Sequence, residues 1–159
     1  MQIDICAIGK VKEPYLRDGI TEYLKRLSGF CTVKIVEFSE ERVKENASVH
    51  EIESACQQEG KNLLKAAGQS GYLIAMDPAG ISLSSEGFAG LVRRWEIDGP
   101  HHIAVLIGGP HGLSDEVRDQ AGLLLSLSLM TFTHQMARFI LLEQIYRAYT
   151  INRGLPYHR

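Results

Sequence analysis

Four stretches in the last third of the chain carry residue types that do chemistry. Ile107-Gly108-Gly109-Pro110-His111-Gly112-Leu113 is a glycine turn that closes an apolar run. Glycines let backbone approach a ligand closely, and Ser114-Asp115-Glu116 opens a helix just after them. Ser126-Leu127-Ser128-Leu129-Met130-Thr131-Phe132 sets hydroxyls and backbone donors and acceptors beside apolar walls, as an adenine edge requires. Thr133-His134-Gln135-Met136-Ala137-Arg138 opens a long helix, and Pro156-Tyr157-His158-Arg159 ends the sequence. Histidine is the side chain that titrates near neutrality without help, so His134 and His158 are the candidate general bases. Arg138 and Arg147 are expected near one side of the long helix, to grip phosphate or to stay solvated. Tyr157, His158 and Arg159 are hydrogen-bonding or cationic, so a charged substrate near that ligand is expected.

Other chemistries find little support. Gly108–Gly112 is not a Gly-x-Gly-x-x-Gly fingerprint and follows a late strand, so a dinucleotide site is not indicated. No Gly-Lys-Ser/Thr follows, so it is not a phosphate loop. There is no Cys-x-x-Cys, and His101-His102 has no partner at metal-ligand spacing; no metal is expected. The three cysteines, Cys6, Cys31 and Cys56, are odd in number and widely spaced, which suits a reduced, cytoplasmic protein. No apolar run is long enough to span a membrane. The start Met1-Gln2-Ile3-Asp4-Ile5 lacks a basic region and cleavage site, so no signal peptide is expected.

These groups need a scaffold, and 159 residues suffice for one domain, 1–159. The net charge of −2 is unevenly spread: residues 1–36 carry +2, 37–130 carry −7 and 131–159 carry +3. Cationic ends meeting on one face would steer a polyanion in spite of the net charge. Alternation predicts strands at 2–8 and 32–38, and apolar runs predict strands at 71–77, 102–108 and 123–130. Between them fall helices at 13–27, from the capping box at Ser48–Glu51 to about Ala67, from Ser84 or Ser85 through Trp95, and a short one after Ser114. Pro78-Ala79-Gly80 is read as a turn, 39–47 as a loop, and His134 to about Asn152 as the final helix. Strands alternating with helices give an α/β class with a mostly parallel sheet and helices on both faces. Met136, Phe139, Ile140, Leu142, Ile145, Tyr146 and Tyr149 cover more than one face of the final helix. Either it is a central core helix, or its surplus face is a homodimer contact.

The run Leu-Ile-Gly-Gly-Pro-His-Gly-Leu-Ser, the stretch Leu-Ser-Leu-Ser-x-Met-Thr-Phe-x-His-Gln-x-x-Arg, Glu-Gln-Ile-Tyr-Arg-Ala and the terminal Pro-Tyr-His-Arg stand together in this sequence. With them, over essentially the whole chain, it resembles the small bacterial large-subunit ribosomal RNA methyltransferases of the SPOUT superfamily. The resemblance implies a C-terminal trefoil knot, S-adenosylmethionine as methyl donor and a homodimer. It implies methylation of N3 of a pseudouridine in a large-subunit (23S) rRNA stem-loop on the assembled ribosome. It implies donor contacts at Met76, Gly108, Leu127, Ser128, Leu129, Met130, Thr131 and Phe132. The catalytic candidates are His134, Arg138, Tyr157, His158 and Arg159. The closest alternative is a related enzyme acting on tRNA; a non-catalytic ribosome assembly factor is a second.

Overall fold

The computed structural model describes residues 1–68 and 70–158. Five strands, β1 (Gln2–Ile8), β2 (Thr32–Phe38), β3 (Tyr72–Ser82), β4 (His102–Ile107) and β5 (Leu123–Ser126), form one sheet in the order β2-β1-β4-β3-β5. Every pairing is parallel. The helices are α1 (Pro14–Leu27), α2 (Val49–Ala67), α3 (Ser85–Ile97), α4 (Asp115–Gln120) and α5 (His134–Asn152). The predicted class, a parallel sheet with helices on both faces, is what forms.

Crossover handedness explains the layers. The steps β1 to β2 and β3 to β4 run one way across the sheet, while β2 to β3 and β4 to β5 run the other. A right-handed crossover then puts α1 and α3 on one face and α2 and α4 on the other. The strand pleat divides the core accordingly. Ile3, Ile5, Ile74, Ile103 and Val105 pack toward α1, α3 and α5. Cys6, Ile8, Ala75, Ala104 and Leu106 pack with Leu63, Ala67 and Val117 of α2 and α4. Helix starts follow the expected caps. Ser48 and Glu51 form the reciprocal capping box, and Ser84, Ser114 and Thr133 cap α3, α4 and α5.

Two predicted boundaries change. Pro78-Ala79-Gly80 does not reverse the chain; β3 runs on to Ser82, with a register shift in which both Met76 and Ile81 face Leu125. The Asp77 carboxylate accepts the Ala79 N–H at 2.8 Å, so the turn chemistry makes a bulge inside the strand. β5 stops at Ser126 rather than Met130. The Ser126 hydroxyl donates to the Ser128 carbonyl at 2.9 Å and the Met130 N–H donates to the Ser128 hydroxyl at 3.0 Å. These local bonds replace the ladder, as serine side chains tend to do.

The surplus apolar face of α5 has an account within the chain. α5 packs between α1 and α3. Leu141, Leu142, Ile145, Ala148 and Tyr149 are buried there, while Phe139 and Tyr146 are half-buried against the same core. Among the large apolar side chains left bare are two groups away from this helix, Leu129, Met130 and Phe132 after β5 and Ile81 and Leu83 after the bulge.

Candidate active site at three strand ends

The carboxyl ends of β3, β4 and β5 stand side by side, the position at which open α/β sheets bind ligands. A cavity of 570 Å³ lies there. Met76, Asp77 and Pro78 form one wall, Ile107, Gly108 and Gly109 a second, and Leu125 to Ser128 a third. Met130 to Gln135 close the far side. The lining is mostly apolar, with backbone polar groups wherever the chain leaves a strand. Gly108 is needed for its lack of a side chain: a Cβ there would lie 2.5 Å from the Gly112 carbonyl oxygen.

Asp77 is the carboxylate of this wall. Burial raises its pKa, but the Arg118 guanidinium, donating at 2.7 Å, and the Ala79 N–H more than offset that and hold it below the usual range. His134 enters from the first residue of α5. Its Nε2 lies 3.5 Å from a Glu40 carboxylate oxygen, and its side chain is mostly buried. Gly9, at φ 80°, leaves the room it occupies: a Cβ there would lie 2.6 Å from Nε2. Burial, then the charge of Arg138, lowers the His134 pKa, so the imidazole is neutral near pH 7.

Arg138 is not on the cavity surface. Its side chain is fully buried, although sequence put it among groups that meet substrate. Its guanidinium donates to the Glu37 carboxylate, to the Ile8 carbonyl at 3.3 Å and to the His134 carbonyl at 3.2 Å. Nor does it share a side with Arg147. Nine residues are about two and a half helical turns, which puts the two on opposite faces.

Arg147 belongs to a second cluster, farther along α5. It donates to Glu143 at 2.6 Å, the pairing expected four residues apart. The Tyr157 hydroxyl donates to Glu143 at 3.0 Å and lies 3.0 Å from the Tyr23 hydroxyl, and its ring packs edge-on against Tyr146. Burial, with the bonds to Tyr23 and Glu143, pushes the Tyr157 phenol up. Arg147 can only donate, so His158 Nδ1, 3.3 Å away, accepts. Nε2 then carries the proton and donates to Glu86 at 2.7 Å. Arg147 lies about 20 Å along the helix axis from His134. Tyr157 and His158 of the same chain therefore do not line the cavity, and Arg159 lies outside the described residues.

A family model described as a predicted SPOUT methyltransferase matches residues 1–158. The chain belongs to the SPOUT methyltransferase family. Over 159 residues it is 48% identical to a Clostridioides difficile (strain 630) protein and 45% identical to one from Halothermothrix orenii (strain H 168). Both are called ribosomal RNA large subunit methyltransferase H, and each alignment covers 100% of both chains. The crystal structure of TrmJ from Z. mobilis ZM4 aligns with a TM-score of 0.53 at 10% identity, over 92% of this chain and 70% of that one. That likeness concerns the fold alone.

In this SPOUT chain, Met76, Gly108, Leu127, Ser128, Met130, Thr131, Phe132 and His134 come together at one cavity. Leu129 points away from it and is 96% exposed. Sequence reasoning missed Asp77, Glu37 and Glu59. The signal for Glu59 was its place on the buried stripe Cys56, Gly60, Leu63 and Ala67 of α2. Asp77, a lone charge ending an apolar strand, was equally readable.

Proposed function

We propose that this chain transfers the methyl group of S-adenosylmethionine to N3 of a pseudouridine in a large-subunit (23S) rRNA stem-loop, on the assembled ribosome. The observation that carries this reading is the cavity at three adjacent strand ends, in a chain aligned end to end with relatives called large-subunit rRNA methyltransferases. The cavity suits the donor. Its volume falls in the range usual for cofactor sites, about 300–1,000 Å³. Apolar walls at Met76, Ile107, Leu127 and Phe132 suit an adenine ring, and backbone groups at Gly108 and Ser128 to Thr131 are at hand for its edge. Bound there, S-adenosylmethionine supplies an already activated methyl group.

The chain's own residues have two tasks. One is orientation: the apolar walls hold the donor and fix the approach of N3, an effect that reaches roughly 7–11 kcal/mol in favourable cases. The other is to take the imide proton, without which N3 is a poor nucleophile. Of the two candidate bases, the present geometry favours His134, which is neutral and lines the cavity. His158 is engaged by Arg147 and Glu86 in its own chain. Tyr157, His158 and Arg159 are assigned to the RNA, reaching the cavity of a second copy in a homodimer. Bare Leu129, Met130 and Phe132 beside the cavity support such a contact. The trefoil knot and a cytoplasmic location belong to the same reading. Among the described residues no helix is long and apolar enough to cross a membrane, and no cluster of three or more His, Cys, Asp or Glu could hold a metal ion.

The test is transfer of labelled methyl from S-adenosylmethionine to ribosomes lacking the modification, with free rRNA, tRNA and isolated subunits alongside. Label at a pseudouridine of the large-subunit RNA, on assembled ribosomes only, is the expected result. Label on tRNA, or donor binding without any transfer, would overturn it.

A further inference from the structure

Arg138 is one of the largest fully buried side chains among the described residues. It pairs with Glu37, whose side chain stays 31% exposed; burying a charge in such a pair contributes little net stability, since apolar residues of similar volume often do as well or better. Its geometry is more telling. One guanidinium ties three elements: the Glu37 side chain from β2, the Ile8 carbonyl at the end of β1 and the His134 carbonyl at the start of α5. Two further bonds join the same parts. Glu37 also accepts the Val11 N–H at 3.2 Å, and Gln135 accepts the Lys12 N–H at 2.8 Å. The β1–α1 loop and the first turn of α5 are thus fastened together around the His134 imidazole, in the space that Gly9 leaves open.

We infer that the Glu37–Arg138 pair, its guanidinium buried and its carboxylate partly exposed, is a positioning device for His134, setting the imidazole against the cavity and touching neither donor nor RNA itself. This rests on the reading of the chain as an rRNA methyltransferase in which His134 takes the imide proton. Four charged groups act on that imidazole: Arg138 of its own helix, Glu40 of the loop after β2, Lys12 of the β1–α1 loop and Glu37 of β2. Arg138 outweighs Glu37 among them. Removing the pair therefore favours the imidazolium, and the acid limb of the rate profile moves to higher pH.

The experiment measures methyl transfer to ribosomes against pH. Its variants are Glu37→Gln/Arg138→Met, Arg138→Lys, His134→Gln, and His134→Gln combined with the double change, each with a thermal melt. An inactive wild-type protein would sink the enzymatic reading itself, whatever the variants do. With active wild type, the double variant should lose about 100-fold in kcat, the scale of a misplaced reacting group. Its acid limb should move up, the KM for S-adenosylmethionine should change far less than kcat, and adding His134→Gln should cost little more. Arg138→Lys keeps the buried charge but cannot reach three acceptors. It should slow transfer with the acid limb in place, and it carries the test should the double variant not fold. A lowered melting temperature with wild-type kcat and pH profile, or losses fully additive with His134→Gln, would overturn the proposal.

Discussion

Asp77 and Glu59 are both buried beside the cavity, and their surroundings push them in opposite directions. Glu59 accepts the Glu41 N–H at 2.8 Å and lies under Gly109, with no cation bonded to it among the described residues. Burial raises its pKa. Its charged form is thus disfavoured in the folded state, a cost absent below the ordinary carboxylate pKa that grows as pH rises through the raised value. Glu59→Gln keeps an acceptor without the charge. Its urea midpoint should exceed that of wild type at neutral pH, and the gap should close on acidification. Asp77, held below its ordinary value by Arg118 and the Ala79 N–H in spite of burial, has the opposite sign. Its contribution is present above the ordinary carboxylate pKa and is lost as pH falls through the lowered one. Asp77→Asn should therefore destabilise at neutral pH and converge on wild type in acid. A pH-independent difference for either variant would count against these assignments.

The β3 bulge and the start of α5 are the elements on which the cavity depends. Gly80 lets β3 press on β5: a Cβ there would lie 2.6 Å from the Leu124 carbonyl, which is backbone and cannot swing aside. Gly80→Ala should cost about 1–3 kcal/mol in chemical denaturation, the usual range for overpacking. The Thr133 hydroxyl accepts the Met136 N–H at 3.2 Å at the α5 start, so Thr133→Ala should cost about 1 kcal/mol. Elements with one dominant local signal were readable in sequence: the alternation of β2, the capping box of α2 and the stripe of α1. β3 and β5 were misjudged at their ends because two local signals competed there. Pro78-Ala79-Gly80 reads as a turn whether it reverses a chain or bulges a strand; ladder pairing with Leu125 chose the bulge. Leu123 to Met130 reads as one apolar run, but Ser126 and Ser128 satisfy backbone groups locally and end the strand.

At the scale of the whole molecule, the cavity and the C-terminal tail lie apart. Tyr157 and His158 dock on Glu143, Arg147 and Glu86, well along α5 from His134. If the tail serves a second copy, removing residues 157–159 should leave the fold and donor binding intact while abolishing transfer to ribosomes. Mixing that truncation with a His134→Gln chain should restore part of the activity, because one composite site would again be complete. Replacing exposed Leu129 and Met130 by Asp should lower the association constant in sedimentation without lowering the monomer's melting temperature. Unchanged association would remove this patch from the interface.

The sequence by itself determined the α/β class, the mostly parallel sheet and the succession of strands and helices, though not where β3 and β5 end. Each of these follows from periodicities and caps that act within a few residues. It also pointed to Gly108 and His134, since a glycine turn and a helix-start histidine are local features. Tertiary structure alone decided which cations meet solvent. Arg138 and Arg147 look alike in sequence, yet one is fully buried on Glu37 and two carbonyls while the other holds the tail. That difference rests on which face of α5 meets the ends of β1 and β2, and such long-range packing leaves no mark in the spacing of residues along one helix.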